Sequence, residues 1–302
     1  MTNAATPSIA RQSPDWYDSM YNNRALVPDH ADYFQRWAAS SVKARAQLPA
    51  LLDLAYGDSP GQKLDIFPAS PFACSPNPGA GAPVMVFIHG GYWRSLDKAD
   101  HSFVATAFTQ SGACVVVPNY DLCPAVTVPE ICLQMVKAVA WTWQHIADHG
   151  GDANRITVVG HSAGGHLATM LLSCLWQKFD ASLPADVVKN ALSISGLYDL
   201  EPIRRAPFVQ GALQLTTGQV KAASPFAFAR PVGRTLYSVA GGLESAEFLR
   251  QNQLIASSWG TGVVPLCEAL AGLNHFSVVD ALAKPGHRLH DMAQSLLAKT
   301  HP

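Results

Sequence analysis

A serine framed by glycines is the residue of this sequence best suited to covalent chemistry. Residues 160–164 read GHSAG, directly after the apolar run 156–159 and directly before the helix-forming stretch 165–172. This order predicts a strand, a tight turn and a helix, with Ser162 lifted clear of the sheet. The positive end of the helix dipole would then face an oxyanion formed at Ser162. We interpret Ser162 as a nucleophile; the alternative is a strand-to-helix turn without chemistry.

A second glycine motif could stabilise the charge that such a nucleophile creates. The apolar run 83–88 ends in HGGYW, residues 89–93. In the α/β-hydrolase fold an oxyanion is held by the N–H of the residue after the nucleophile, here Ala163. A second N–H comes from the loop after the third strand, here Gly90 or Gly91. The two motifs together therefore predict an oxyanion hole.

The other members of the HGGYW motif have less specific interpretations. We expect His89 to brace the loop by hydrogen bonds rather than to transfer a proton. Tyr92 and Trp93 are predicted to bind substrate by lining a pocket for an acyl or aryl group, and the alternative is that they pack in the core.

The general base is expected after the nucleophile and after the acid in the chain, because that is the order in this fold. Five histidines follow the serine: His166, His275, His287, His290 and His301. Of these, His275 comes immediately after the last predicted strand and before a helical run, where a loop can return its imidazole to Ser162. His275 would take the serine proton and pass it to the leaving group.

Two carboxylates follow predicted strands and could orient His275. Glu244 lies after the penultimate strand, beyond a turn that contains Gly241 and Gly242, and Asp199 lies after the strand before that. We predict that Glu244 is the acid. Asp199 is expected to shape a turn or cap a helix.

The remaining sequence predicts the elements that must position these residues. Eight apolar or alternating runs indicate strands at about 51–56, 62–68, 83–89, 113–119, 156–161, 190–195, 234–240 and 264–270. Helical patterns fall at about 29–48, 97–111, 129–148, 163–177, 245–258 and 287–299. This alternation predicts a mainly parallel eight-stranded sheet with helices on both faces, the architecture of an α/β-hydrolase, with an antiparallel hairpin at its start.

The chain is long enough for one domain with a large core, so residues 1–302 are expected to form a single domain. The segment 69–82 is rich in proline and glycine and is interpreted as an exposed flexible loop. Residues 197–232 mix short helical patterns with four prolines, and we interpret them as a small cap-like insertion over the active site.

Composition limits the partners. The net charge is −1 and only 14% of residues are charged, which argues against nucleic acid or an anionic membrane and favours a small-molecule substrate. No apolar run approaches the length of a membrane span and no signal peptide is apparent, so a cytoplasmic location is expected. A sheet edge or the N-terminal helical region is a candidate surface for a homodimer.

Neither a metal nor an organic cofactor is predicted. The six cysteines include no CxxC pair and mostly lie in apolar elements, which is typical of free thiols in a reducing compartment. His145 and His149, and likewise His287 and His290, have spacings that could hold a metal, but no carboxylate or cysteine is placed to complete the ligand set. We interpret both pairs as solvated helix ends.

With these residues assigned, the chain resembles the serine-dependent arylformamidases, or kynurenine formamidases, of the α/β-hydrolase fold. The resemblance rests on HGGYW at 89–93, GHSAG at 160–164, SGLYDLEPI at 195–203, ESAEF at 244–248 and HF at 275–276. It implies that Ser162 is the nucleophile, Glu244 the acid and His275 the base.

This chain departs from the family pattern twice. Glu244 stands where the animal enzymes usually carry aspartate, which keeps a carboxylate, and Ala246 stands where proline is common. By resemblance the expected reaction is hydrolysis of N-formyl-kynurenine or a similar N-formyl arylamine. A carboxylesterase acting on short-chain esters is the alternative enzyme, and a binding protein without turnover is the alternative from another class.

Overall fold

The computed structural model describes residues 12–70 and 81–299. Its centre is a mixed sheet of eight strands: β1 (Leu51–Ala55), β2 (Lys63–Phe67), β3 (Ala82–Ile88), β4 (Cys114–Pro118), β5 (Gly151–His161), β6 (Asn190–Ile194), β7 (Thr235–Gly241) and β8 (Leu266–Leu270). The strand order is β1-β2-β4-β3-β5-β6-β7-β8. β2 is antiparallel to both of its neighbours, and every other pair is parallel. The predicted parallel sheet with an antiparallel start is confirmed.

Helices follow most strands. They are α1 (Pro14–Tyr21), α2 (Asn23–Leu26), α3 (His30–Gln47), α4 (Ala105–Gln110), α5 (Val128–His145), α6 (Ala163–Leu172), α7 (Trp176–Phe179), α8 (Glu201–Arg205), α9 (Pro207–Leu213), α10 (Thr217–Ala222), α11 (Ala246–Trp259), α12 (Ser277–Leu282) and α13 (Arg288–Leu297). Short 3₁₀ turns occupy Lys98–Asp100, Ser102–Val104, Ile146–His149 and Pro225–Ala227.

The strands are apolar on both sides because both faces of the sheet are covered. Val84, Val86 and Ile88 of β3 belong to the core on the face packed by α5, α6 and α11. Met85 and Phe87, which alternate with them, belong to the core packed by α3, α4 and α13. This is the burial expected of a parallel strand between two helical layers.

One predicted helix is wrong. The pattern at 97–111 forms two 3₁₀ turns and the short α4 instead of one α-helix. The interruption lies at His101, whose backbone (φ −122°, ψ 4°) is not helical and whose buried ring nitrogen Nδ1 bonds to the Asp97 carbonyl at 3.1 Å. A local side-chain to backbone bond of this kind competes with the helical ladder.

The segment 197–232 contains α8, α9, α10 and one 3₁₀ turn. Glu201 holds the first of these helices together through ion pairs with Arg204 and Arg205. The predicted loop at 69–82 falls mainly on residues 71–80, which lie outside the described residues.

Candidate active site

Ser162 occupies the tight turn between β5 and α6. Its backbone has φ 58° and ψ −119°, a conformation that a residue other than glycine rarely adopts. Flanking glycines are required by space, since a Cβ on Gly160 would lie 2.0 Å from the Gly164 carbonyl oxygen. A Cβ on Gly164 would lie 2.0 Å from the Ile88 carbonyl oxygen. The strand, turn and helix predicted from GHSAG are therefore present, with the strain concentrated at the serine.

Three side chains from three loops form a hydrogen-bonded chain. Ser162 Oγ lies 3.1 Å from Nε2 of His275, and Nδ1 of His275 lies 2.7 Å from Oε2 of Glu244. β7 and β8 are parallel neighbours, so the loops after them, which carry Glu244 and His275, emerge side by side. The side chains of His275 and Glu244 are only 5% and 1% exposed. The hydrogen bond expected between Glu244 and His275 is thus found.

Glu244 is fixed by two further donors to its other oxygen. Oε1 accepts hydrogen bonds from the Ser195 hydroxyl at 2.5 Å and from the Gly241 N–H at 2.6 Å. Ser195 follows β6 in the left-handed backbone region (φ 53°), and its N–H donates to the Val239 carbonyl. Sequence reasoning quoted Ser195 only as part of a motif and missed this contact, because it joins residues 49 positions apart.

Asp199 lies elsewhere. Its Oδ1 accepts a hydrogen bond from the Glu201 N–H at 3.0 Å, and its Oδ2 is 4.0 Å from Arg250. Burial raises the pKa of its carboxyl group. These contacts are those of a residue that shapes the turn before α8, as the sequence suggested.

The first glycine of the HGGYW loop lies against the nucleophile, and the second lies against Ser95. A Cβ on Gly90 would meet the Ser162 Cβ and the His161 carbonyl oxygen, each at 3.0 Å. Gly91 has φ 111°, and a Cβ there would lie 2.0 Å from the Ser95 carbonyl oxygen. Only glycine brings the backbone this close to Ser162. The geometry is compatible with the predicted oxyanion hole of Gly90, Gly91 and Ala163.

His89 braces the HGGYW loop. Its Nδ1 lies 2.8 Å from the Gly90 carbonyl oxygen and its Nε2 lies 3.0 Å from Asn119 Oδ1. The ring stacks on Tyr120 with centroids 4.5 Å apart, and the Tyr120 hydroxyl donates to the His89 carbonyl at 3.1 Å. Full burial lowers the pKa of His89. The imidazole is engaged with the loop and makes no contact with Ser162.

His161 holds the backbone of His275 through a hydrogen bond. Its Nε2 donates a hydrogen bond to the His275 carbonyl at 2.7 Å, and the two rings lie 4.8 Å apart. Burial, followed by the proximity of His275, lowers the pKa of His161 well below its ordinary value. A neutral His161 adds no second positive charge beside His275. The only sequence signal for this residue was its place in GHSAG.

The two aromatic residues of the loop have different positions. Tyr92 is 9% exposed, lines the cavity above Ser162 and donates its hydroxyl to the Tyr21 carbonyl at 2.6 Å. Trp93 is fully buried, does not line that cavity and packs edge-on against His166, 5.0 Å between centroids. The prediction that Trp93 contacts substrate is therefore corrected: its ring belongs to the hydrophobic core, where it packs against His166.

The cavity above Ser162 has aromatic walls and a polar rim. Phe34, Phe208 and Phe276 line it together with Tyr92. Residues 22–24, which belong to the N-terminal part of the chain, form part of the rim. Sequence reasoning assigned no site residue before position 89, because α1 and α2 are short and carry no motif.

The N-terminal helices are attached to the loop that carries Glu244. The Tyr21 hydroxyl donates to Glu247 Oε2 at 2.6 Å, and the Ser245 hydroxyl donates to the Met20 carbonyl at 2.5 Å. Gln251 Nε2 reaches the Tyr21 hydroxyl at 3.2 Å. Burial raises the pKa of Tyr21 well above its ordinary value, and Glu247 adds to the shift. Tyr21 therefore stays a neutral donor.

Over residues 12–70 and 81–299, no three His, Cys, Asp or Glu side chains are arranged to hold a metal ion. One histidine pair departs from expectation, because His290 is buried and not solvated: its Nδ1 donates to the Leu282 carbonyl at 2.9 Å. No helix within these ranges is long and apolar enough to cross a membrane.

Known proteins resemble the chain over most of its length. A protein family with the α/β-hydrolase fold matches residues 85–229, which include the HGGYW loop and Ser162. The kynurenine formamidase of Danio rerio is 29% identical over 268 residues, covering 87% of this chain and 87% of that protein. The esterase LipQ of Mycobacterium tuberculosis is 31% identical over 58% of this chain and 44% of its own length.

A solved structure extends the likeness. A candidate thioesterase from Silicibacter sp. TM1040 shares 31% identity, with a TM-score of 0.76, over 89% of this chain and 95% of its own. The fold, the strained serine turn and the relatives all indicate the same family. The chain belongs to the α/β-hydrolase-fold hydrolases, and within them it resembles the kynurenine formamidases over most of its length.

Proposed function

We propose that the protein hydrolyses N-formyl-kynurenine or a similar N-formyl arylamine to formate and the free amine, with Ser162, His275 and Glu244 as its triad. The observation that carries this proposal is the hydrogen-bonded chain from Ser162 to Glu244, with distances of 3.1 and 2.7 Å, at a strained serine turn. Kynurenine formamidases aligned over more than four-fifths of the chain support the substrate class.

The first half of the reaction forms a formyl-enzyme. Ser162 Oγ attacks the formyl carbon while Nε2 of His275 accepts the serine proton. The Nδ1–H of His275 stays bonded to Glu244, which stabilises the imidazolium and fixes the tautomer. The carbonyl oxygen becomes an oxyanion that accepts hydrogen bonds from the Ala163 N–H and from Gly90 or Gly91.

Collapse of this intermediate breaks the C–N bond. His275 Nε2–H protonates the departing nitrogen, because an aryl amide anion would be a poor leaving group. Water then attacks the formyl ester as His275 takes one of its protons. The C–O bond to Ser162 breaks when the same proton returns to Oγ, and formic acid leaves, loses its remaining proton to water and becomes formate, so that the enzyme is restored.

The walls of the cavity favour an aromatic leaving group beside a small acyl group. Phe34, Phe208 and Tyr92 offer ring faces and edges, which suit an aryl amine. On the acyl side, the Gly90 backbone is packed against Ser162, which suits a formyl group better than a long chain.

We also propose that residues 1–302 form one domain in which 197–232 is a cap, since Phe208 of α9 lines the cavity.

A carboxylesterase is the second candidate function, and the likeness to the LipQ esterase favours it. The deciding measurement is kcat/KM of the purified protein on N-formyl-kynurenine and on p-nitrophenyl butyrate in one buffer, with Ser162→Ala as the control for background hydrolysis. We expect the formamide to have the higher kcat/KM. Equal or faster turnover of the butyrate would replace the formamidase proposal by the esterase.

A further inference from the structure

Two arginines line the Ser162 cavity without a carboxylate partner. Arg24 comes from α2 and Arg94 from the loop after β3, and both contribute to the cavity wall. Within the described residues, no Asp or Glu oxygen lies within 4.0 Å of either guanidinium group. Some other arginines are paired with carboxylates, for example Arg250 with Glu247 and Arg288 with Glu268, whereas Arg45 and Arg234 donate to neutral oxygens.

Each guanidinium group is held in place by neutral contacts. Arg24 lies over the ring of Phe34, 5.3 Å from its centroid, and its Nη2 donates to the Ser95 hydroxyl at 3.1 Å. Arg94 lies over the ring of Phe208, 5.7 Å from the centroid. Rings orient these groups without neutralising them. The donors that face away from the rings are therefore free to meet an anion.

The two guanidinium groups line the same cavity, where they repel each other. Arg24 is exposed at its outer side, and its partial burial, followed by repulsion from Arg94, lowers its pKa. An anion bound to both groups would remove this repulsion and gain charge-assisted hydrogen bonds. A planar carboxylate fits the fork of donors that guanidinium presents.

A third polar group at this rim also lacks a partner. Asn23 is 4% exposed, lines the same cavity, and its amide Nδ2 has no hydrogen-bond acceptor among the residues that the structure describes. A buried donor without an acceptor costs free energy, which a ligand oxygen would recover. The rim between α2 and the HGGYW loop thus offers N–H donors without acceptors. Among the described residues, no carboxylate balances the positive charge there.

We propose that Arg24 and Arg94 form a carboxylate-binding subsite, so that the preferred substrates are aryl formamides whose leaving amine carries a carboxylate. This inference rests on the proposed formamidase function. The formyl group would lie at Ser162, the aryl ring between the aromatic walls, and the carboxylate at the two guanidinium groups. The subsite selects the leaving group and takes no part in bond breaking.

The test compares two formamides that share the reacting bond. N-formyl-kynurenine carries a carboxylate, and N-formyl-kynuramine has the same ring, ketone and ammonium group without it. The readout is the ratio of their kcat/KM values for wild type, Arg24→Gln, Arg94→Gln and the double variant. We expect the ratio to fall about tenfold in each single variant and about 100-fold in the double variant, mainly through KM.

The matched control is Arg230→Gln, which removes the same charge from an exposed arginine outside the cavity. Its ratio should equal that of wild type. Arg24→Lys should recover part of the loss, because it restores the charge but not the fork. A double variant whose ratio stays within twofold of wild type would overturn the subsite.

A second measurement separates this inference from the proposed function. If the wild-type protein hydrolyses neither formamide, the formamidase proposal is rejected, but the carboxylate subsite is still untested. The arginines are then tested with an ester pair, 3-(2-acetoxyphenyl)propionate and 2-ethylphenyl acetate, by the same ratio. Titration calorimetry of kynurenine with Ser162→Ala, with and without the double arginine change, gives the same comparison without turnover. Equal affinity in both would reject the subsite.

Discussion

The two sides of the Ser162 cavity differ in how completely their polar groups are paired. On the sheet side, formed by the loops after β5, β7 and β8, Ser162, His275 and Glu244 are linked to one another. Even the second oxygen of Glu244 has two donors. The outer wall, formed by residues 22–24, Arg94 and Phe208, carries two arginine charges that no carboxylate of the described residues balances.

This difference separates two tasks. Groups that move protons must keep a fixed geometry, and complete pairing in a buried setting provides it. Polar groups that recognise a ligand can form new hydrogen bonds to it only with donors that the protein itself has left unused. The sheet side is therefore expected to serve any acyl transfer, and the outer wall to decide which leaving group is accepted.

The largest effect should come from the sheet side. Ser162→Ala removes the nucleophile, and we expect kcat to fall by about 10⁶-fold, because nucleophile and base act as one unit. The variant should keep the wild-type fold, as judged by its circular dichroism spectrum and melting temperature. A fluorophosphonate should label wild type at Ser162 and leave the variant unlabelled. A variant rate within tenfold of wild type would disprove the serine mechanism.

The acid should have the next largest effect. Glu244→Gln favours the wrong tautomer of His275, and the equivalent change in a serine protease lowers kcat by about 10⁴-fold. Asp199→Asn is the matched control, since it makes the same chemical change at a carboxyl group that only meets the Glu201 N–H and Arg250. We expect less than a tenfold loss there. Similar losses in both variants would contradict the assignment.

Local signals explain why the sheet side could be predicted. The strands lie within a few residues of the apolar runs, although β5 begins at Gly151 and not near 156. Glycines at 160 and 164 mark the turn because no larger residue fits there. Position in the chain then limited the base and acid to a few candidates. Each of these inferences needed only neighbouring residues and the known order of one fold.

The outer wall could not be predicted because its contacts join distant parts of the chain. Tyr21 meets Glu247 across 226 positions, and α2 is four residues long with no apolar period. Trp93 was misplaced for a related reason: its ring is held in the core by a contact with His166 of α6, a distant part of the chain. The specificity of a site is thus less visible in one sequence than its chemistry.

Acid should weaken the sheet side through its buried imidazoles. Burial lowers the pKa of His166 to about 4, from an ordinary value near 6.5. Below pH 6.5 the unfolded chain binds a proton that the folded protein refuses, so stability is complete above 6.5 and is lost as the pH falls toward 4. Between pH 7 and 5 this single group should lower the free energy of unfolding by about 2 kcal/mol.

Urea unfolding of wild type and His166→Gln at both pH values measures this contribution. The variant should lose about 2 kcal/mol less than wild type over the interval. Equal losses in the two proteins would mean that His166 titrates normally in the folded state.

The smallest effect should come from the link between the two sides. Tyr21→Phe removes a buried hydroxyl that donates to Glu247 Oε2 at 2.6 Å, and it leaves Glu247 paired with Arg250. A hydrogen bond to a charged group contributes about 1.5–3 kcal/mol, so urea unfolding should show a loss at the lower end of that range. Tyr17→Phe is the control from the same helix, because among the described residues its hydroxyl meets only the Gln12 N–H, at 3.4 Å. If the outer wall only binds and the sheet side alone reacts, kcat of Tyr21→Phe should stay within about threefold of wild type. A loss of kcat above 100-fold, with little change in stability, would instead mean that the N-terminal helix positions the Glu244 loop for catalysis, and the division between the two sides would fail.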